Sequence, residues 1–364
     1  MSLKLSRNPT LLPLWQTAMP KKVVCAMSGG VDSSVAAALL KSQGFDVLGV
    51  FMKFWSETPK KGVADRWNKC CSPEAEERAR LVAFHLGIPF YVFDFRKEFK
   101  KSVVDYFIRE YKAGRTPNPC VVCNKDIKFG LLLKKALAIE ADYIATGHYV
   151  QLKEGRLIKA KDKEKDQSYF LWQLSRKELE RCLFPLGDYT KSEVKKMANK
   201  FNLPVSSFID SQEVCFVHTN LTDFLKKYIK QRPGNIIDGQ GNIMGRHNGL
   251  ASYTVGQRKG IDLPGGPFWV VKKDIKNNLL VVTKNEKDLL EKELFFQDEN
   301  WISGKPSRLP MEVKAKIRYR SQSVSATVKK GNTVIFKKPQ RAVTPGQSIV
   351  FYKGLELLGG GVIK

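Results

Sequence analysis

The chain has no run of about 20 uninterrupted apolar residues, the length a membrane-spanning helix requires, so no membrane partner is expected. It also lacks the apolar centre of a secretory signal, because Leu11-Leu12-Pro13-Leu14-Trp15 is short and broken by proline. Residues 1–20 carry Lys4 and Arg7 and no acid, and read as an extension ahead of the first strand of a cytoplasmic protein. Acids are scarce throughout. Thirty-six Asp and Glu face 62 Lys and Arg, a net charge of +26, which points first to a polyanionic partner. An even cysteine set is missing as well: seven cysteines argue against a disulfide framework and for reduced, working thiols. Wholesale disorder is excluded by 43% hydrophobic and 27% charged residues, and 364 residues hold two or three domains.

What is present begins with alternation. Val23–Met27 reads as a strand, Val35–Gln43 as a helix stopped by Gly44, and Val47–Phe54 as the next strand. Pro73–Leu86, Phe99–Lys112 and Ile127–Ile139 read as further helices, with strands at Phe90–Phe93 and Tyr143–Ala145. Strands alternating with helices of this length predict a parallel α/β sheet. Residues 151–166 read as a charged hairpin-like insert, followed by helix to about Lys200. Beyond Pro233-Gly234, turns recur as they do in all-β structure. From Trp301 to Lys364, thirteen Lys and Arg face two acids across short β-type runs, which reads as a basic barrel or sandwich suited to a nucleic-acid backbone. The division expected is a catalytic α/β domain at 1–217, a small connector at 218–290 and a basic C-terminal antiparallel β-barrel at 291–364.

Ser28-Gly29-Gly30-Val31-Asp32-Ser33 stands between the first strand and the first helix. That placement aims backbone N–H groups at a phosphate on a helix N-terminus, and glycines let the backbone approach closely. Ser28, Ser33 and Ser34 add hydroxyl donors. No Gly-Lys-[Ser/Thr] follows, so this is not the loop of P-loop NTPases. The motif resembles that of the pyrophosphatase-loop ATPases, with their adenine nucleotide alpha-hydrolase-like fold, which cleave ATP between its α and β phosphates and adenylate a substrate. That resemblance implies ATP contacts at Ala26, Met27, Ser28, Gly29, Gly30, Val31, Asp32 and Ser33, with Met52 and Gly147 flanking the adenine ring.

Cys25 lies inside the first strand and Cys182 in a stretch read as helical, so both look structural; Cys70-Cys71 precedes a helix in a polar loop. Thr116-Pro117-Asn118-Pro119-Cys120-Val121-Val122-Cys123-Asn124-Lys125 is different. Two prolines hold the loop extended, Asn124 reads as the cap of the following helix, and Cys123 then sits at a helix N-terminus near Lys125 and Lys128, surroundings that favour a thiolate. The second pair that a structural zinc site needs is missing; the remaining isolated loop cysteine is Cys215. Three thiols fit a sulfur-transfer pair with a helper, or three ligands to an iron–sulfur cluster with one open iron. The metal content is left open by the sequence.

With these residues in place, the sequence closely resembles the tRNA-specific 2-thiouridylases over nearly its whole length. The likeness runs in order through Ala26–Ser33, Val50-Phe51-Met52-Lys53, Gly114–Pro119, Cys123-Asn124-Lys125, Ala145–Tyr149, Lys165–Leu171, Glu213–Phe216, Tyr253–Arg258, Arg318-Tyr319 and Pro345-Gly346-Gln347. It implies a transferase, ATP and Mg²⁺, a tRNA substrate, and a sulfur donor such as a cysteine desulfurase or sulfur-relay protein. It further implies that Cys215 receives a sulfane sulfur and that Cys123 is the other catalytic cysteine, the two closing a transient disulfide bond. Asn118, Pro119 and Cys120 would lie against the target base. His148, Lys165, Asp166, Gln167, Arg318, Tyr319 and Gln347 would contact tRNA. Many members carry an acid/base Asp where this chain has Cys120, so either another group or water handles the proton or Cys120 has a sulfur role of its own; Cys120 would also complete the three-cysteine set of a [4Fe-4S] cluster. Two other readings of the sequence are a small-molecule amidating or ligating enzyme of the same loop class and a non-catalytic RNA-binding protein.

Overall fold

The computed structural model describes residues 20–57, 72–205, 214–217, 220–304, 306 and 308–364. Cys70, Cys71, Gln212 and Glu213 lie outside them. The first apolar run forms β1 (Lys22–Ala26), whose Val23, Val24 and Cys25 are completely buried because helices cover both faces of its sheet. Burial pushes the Cys25 thiol up to about 12, which fits an inert core residue. Helix α1 (Val31–Ser42) follows, then β2 (Asp46–Lys53), α2 (Pro73–Leu86), β3 (Phe90–Asp94), β4 (Tyr143–Ala145) and β7 (Cys182–Leu183). All five strands run parallel in the order β3-β2-β1-β4-β7. The chain winds outward from β1 in one direction through β2 and β3, then returns to place β4 on the other side. The reversal falls between β1 and β4, and a crevice at such a switch point is where open α/β sheets bind ligands.

Local chemistry explains the helix limits. Ser72 caps α2 by accepting from the Ala75 amide, Pro73 occupies the first helical position, and Gly87 ends the helix at φ 58°. A continuous helix spans residues 119–138, widened to π-helical geometry at Cys123–Leu131. It starts earlier than the sequence suggested, because Pro119 is well suited to a first helical position and Asn118, not Asn124, is the cap. Cys120 therefore stands in the first turn, and Cys123 one turn inside. The long helix expected up to Lys200 is also corrected. Ser175 with Glu178 and Thr190 with Glu193 form two capping boxes that start separate helices at Arg176–Leu179 and Lys191–Lys200, leaving Cys182 on β7.

The connector holds a four-stranded sheet ordered β10-β11-β8-β9, from β8 (Gly234–Ile237), β9 (Ile243–His247), β10 (Trp269–Asp274) and β11 (Leu279–Thr283). The C-terminal part is an antiparallel barrel of six strands: β12 (Leu290–Trp301), β13 (Met311–Lys316), β14 (Val324–Lys329), β15 (Thr333–Arg341), β16 (Ser348–Lys353) and β17 (Glu356–Ile363). It closes because β12 pairs with both β15 and β17. Its interior alternates Leu294, Phe296, Val313, Ala315, Ala326, Val328, Val334 and Phe336 against outward polar residues. The 151–166 segment forms a hairpin, β5 (Val150–Lys153) and β6 (Arg156–Lys159), that is not confined to the first domain. Ile158 pairs with Glu356, so the hairpin extends the barrel sheet and bolts it to the catalytic domain.

Candidate active site

The phosphate loop, residues 27–30, leaves β1 at the switch point. Gly29 has φ +73°, and a Cβ there would collide with the backbone carbonyl of Ala75 in the first turn of α2. Arg78 on α2 donates from Nε to the Gly29 carbonyl at 3.1 Å. The serines act mostly inward: Ser33 Oγ accepts from the Ser28 amide at 3.1 Å and donates to the Gly30 carbonyl at 3.1 Å, and Ser34 Oγ donates to that same carbonyl at 2.9 Å. Both are buried, so in this structure their hydroxyls shape the loop from within, and Ser33 already engages the Ser28 amide.

Gly147, in the loop after β4, lies against the first turn of α1: a Cβ would stand 2.9 Å from the Ser33 amide nitrogen. Met52 is buried at the end of β2, where it pairs with Phe93. Ala26, Met27, Val31 and Asp32 line the same edge through β1 and α1. Asp32 is tied down twice, by Tyr149 Oη at 2.7 Å and Lys191 Nζ at 2.8 Å. Lys191 was missed in the sequence. The Thr190-x-x-Glu193 capping box was its signal, since it starts a helix whose first residue reaches back to the loop. A cation there suits a site for phosphates.

The cysteine segment is built by all three parts of the molecule. Arg115 grips Glu110 with both arms, at 2.6 and 2.8 Å. Gly114 meets Ile275 of the connector, and Thr116 Oγ1 lies 3.3 Å from Thr254 Oγ1. The barrel contributes most: the Thr116 amide donates to the Pro345 carbonyl at 2.8 Å, Gly346 at φ +91° presses on the Thr116 backbone, and Gln347 Nε2 donates to Thr116 O at 2.9 Å and Pro117 O at 3.3 Å. Gln347 thus holds the loop that carries the cysteines. Arg318 does related work, its Nη2 donating to Val255 O, Ala342 O and Thr344 Oγ1 at 3.2, 2.8 and 2.8 Å.

Cys120 is exposed and Cys123 is buried in a core that also receives Cys215 at its edge. Cys215 is anchored by its neighbour Phe216, fully buried among Phe99, Phe107 and Phe224 at ring-centroid distances of 5.8, 5.2 and 5.7 Å. Asn118 lies near Tyr169, whose hydroxyl donates to the Ser348 carbonyl at 2.9 Å, and Pro119 is buried. Among the described residues, no group of three or more His, Cys, Asp or Glu is arranged to hold a single metal ion.

The remaining expected tRNA residues fall into two groups. His148, Asp166 and Gln167 face inward. His148 is held neutral by burial, its pKa well below the usual range, with Nδ1 2.7 Å from Thr146 Oγ1. Asp166 accepts from Ala160 N, Ser168 N and Ser168 Oγ, and Gln167 Oε1 accepts from the Tyr149 amide at 2.9 Å. Tyr319 and Lys165 are partly exposed, and Tyr319 packs on Phe170 at 4.4 Å. With tRNA as the substrate that the resemblance implies, Gln347→Ala is expected to lower kcat about tenfold while moving tRNA affinity less than twofold, because it loosens the cysteine loop by one or two hydrogen bonds. Steady-state kinetics beside equilibrium tRNA binding separates this from a direct contact, which would shift affinity first.

A glycine-bearing loop at the switch point of a parallel sheet, and a helix that carries Cys120 and Cys123 into the same domain, fit a nucleotide-using α/β enzyme with a thiol site. Comparison with known proteins narrows the class. Residues 21–219 match the tRNA methyl transferase HUP domain, 222–284 the tRNA methyl transferase PRC-barrel domain, and 291–363 the Aminomethyltransferase beta-barrel domain. The chain is 47% identical over 359 residues to the tRNA-specific 2-thiouridylase MnmA of Clostridium perfringens, covering 94% of this chain and 98% of that one. It is 46% identical over 360 residues to the protein of the same name from Clostridioides difficile, covering 95% and 99%. The chain belongs to the tRNA-specific 2-thiouridylase family.

Proposed function

We propose that the protein catalyses ATP-dependent 2-thiolation of the wobble uridine of tRNA. The observation that supports this reading is the convergence of the barrel and connector on residues 114–117, which lead into the helix that carries Cys123, in a domain whose phosphate-loop sequence is intact. A small-molecule ligase needs no such bracing by a basic barrel.

A uracil C2 oxygen is a poor leaving group, and AMP is a good one. The C2 oxygen attacks the α-phosphorus of ATP and pyrophosphate departs, held by the loop amides and Lys191; Mg²⁺ bound to the nucleotide would supply neutralisation of its phosphates. A sulfane sulfur on Cys215, delivered by a donor protein, is then released by attack of the Cys123 thiolate on Cys215 Sγ. The freed sulfur forms the new bond to C2, and AMP leaves with the original oxygen. The two cysteines are left oxidised to a disulfide, which an external dithiol reduces before the next turnover. The target base must leave its stack, at a cost of a few kcal/mol. The Lys and Arg excess offsets that cost through the RNA backbone, so tRNA affinity is expected to fall steeply with salt.

The test is reconstitution with unmodified tRNA, ATP and a sulfane donor, reading 2-thiouridine by mass spectrometry and pyrophosphate release in parallel. Thiolated tRNA with about one pyrophosphate per modified base supports the reading. ATP–pyrophosphate exchange that proceeds fully without RNA would favour a small-molecule ligase instead.

A further inference from the structure

We infer that Lys159 and Lys316 form a seat for a backbone phosphate of the tRNA strand next to the target base. The inference rests on the thiolation reading above and adds to it residues that the family motifs quoted above do not include. Lys159 is the last residue of β6 in the hairpin of the catalytic domain, and Lys316 is the last residue of β13 in the barrel. The barrel register brings them together. Lys314 stands opposite Tyr352 and Lys316 opposite Val350, so Lys316 and Tyr352 are diagonal neighbours on one face. Lys159 reaches that face from the other side, its Nζ 4.0 Å from the centroid of the Tyr352 ring and 3.2 Å from Ser323 Oγ.

Lys159 thus lies over the buried Tyr352 ring, and Lys316 stands diagonal to that residue on the same face, at the seam between two domains. Neither makes an ion pair with a carboxylate among the described residues. The nearby acid, Asp166, is already engaged with two backbone amides and the Ser168 hydroxyl. Desolvation lowers both lysine pKa values, Asp166 opposes the fall, and Lys159 pushes that of Lys316 down further. A half-buried pair of like charges with one occupied counter-charge is an arrangement an anion completes.

The position says which anion. Lys316 Nζ lies 5.6 Å from the Tyr319 ring centroid, and Tyr319 packs on Phe170 at 4.4 Å. The Phe170 carbonyl accepts from the Asn124 side-chain Nδ2 at 3.2 Å, and Asn124 follows Cys123 directly. Lys316 is therefore linked to the cysteine helix through two packed rings, Tyr319 and Phe170. A strand whose base is turned toward Cys123 would carry its phosphate past these lysines, with Tyr319 as an adjacent stacking surface.

The experiment uses the full chain with in vitro transcribed tRNA, comparing wild type, Lys159→Met/Lys316→Met, each single Met variant, and Lys159→Arg/Lys316→Arg. Equilibrium binding is measured across a salt series, with ATP KM and thermal melting alongside. The expected result is about tenfold weaker tRNA binding in the double Met protein, and a slope of log Kd on log salt reduced by about 0.7 per lysine. Arg variants should restore both, with ATP KM unchanged. Unchanged affinity and slope, in singles as in the double, would overturn the seat while leaving thiolation by the wild type untouched. A raised ATP KM with unchanged tRNA binding would assign the lysines to nucleotide phosphates and also overturn it. If the double variant melts early, the single variants decide, each by its own slope. Failure of wild type to make 2-thiouridine would count against the function, not against the seat.

Discussion

Replacing Cys123 with serine is expected to lower the single-turnover rate of tRNA thiolation by at least about a thousandfold, while tRNA-dependent pyrophosphate release continues. A serine hydroxyl is not deprotonated near neutral pH and does not attack a sulfane sulfur. Cys123 lies in the second turn of its helix, buried in the core against which Cys215 packs from the edge. Serine fits that space, so the loss should be chemical and not structural. Cys215→Ser should lose thiolation equally, and the two variants should differ in what they carry. The Cys123 variant still accepts a labelled sulfane sulfur from a donor and cannot pass it on; the Cys215 variant never accepts it. Thiolation near the wild-type rate in either protein would remove that cysteine from the reaction.

Gly29→Ala should damage the other half of the reaction. The backbone at Gly29 is left-handed, and the added methyl would meet the Ala75 carbonyl, a backbone atom fixed in the first turn of α2. Holding a non-glycine residue there costs about 1–3 kcal/mol before the collision is counted. The loop or the start of α2 must move, and the amides that face the phosphates move with it. A loss of about a hundredfold in kcat/KM for ATP is expected, with tRNA affinity at fixed salt unchanged. Gly44→Ala supplies the control. Gly44 also has positive φ, at +86°, but a methyl there meets nothing within 4 Å, so only the strain remains and ATP use should be normal.

The strand and helix around the Ser28–Ser33 motif were legible because loop chemistry there is local, although α1 opens at Val31, inside the motif and earlier than the helix read from Val35. Helix limits were harder. Pro119 was read as part of an extended loop, yet proline serves equally well at a first helical position, and only the surrounding packing decides between the two. That shift of one turn moves Cys120, not Cys123, to the exposed N-terminal turn. Contacts between distant segments were not legible at all. Nothing local to Gln347 says that its amide reaches Thr116 and Pro117, and nothing in the 151–166 hairpin says that Ile158 will pair with Glu356. Lys191 was hidden for the same reason, since Asp32 lies 159 positions away in the chain. Among the described residues no helix is long and apolar enough to cross a membrane.

The most direct test of sulfur transfer through Cys215 and Cys123 is one anaerobic turnover. Protein assayed free of iron is loaded with a labelled sulfane sulfur, freed of excess donor, and mixed with unmodified tRNA and ATP without added sulfide. The account predicts that label moves from protein to uridine at up to one per chain and that a Cys123–Cys215 disulfide appears in step, seen by mass spectrometry of the alkylated protein. Label that stays on the protein, or thiolation that begins only when iron and sulfide are restored, would contradict it.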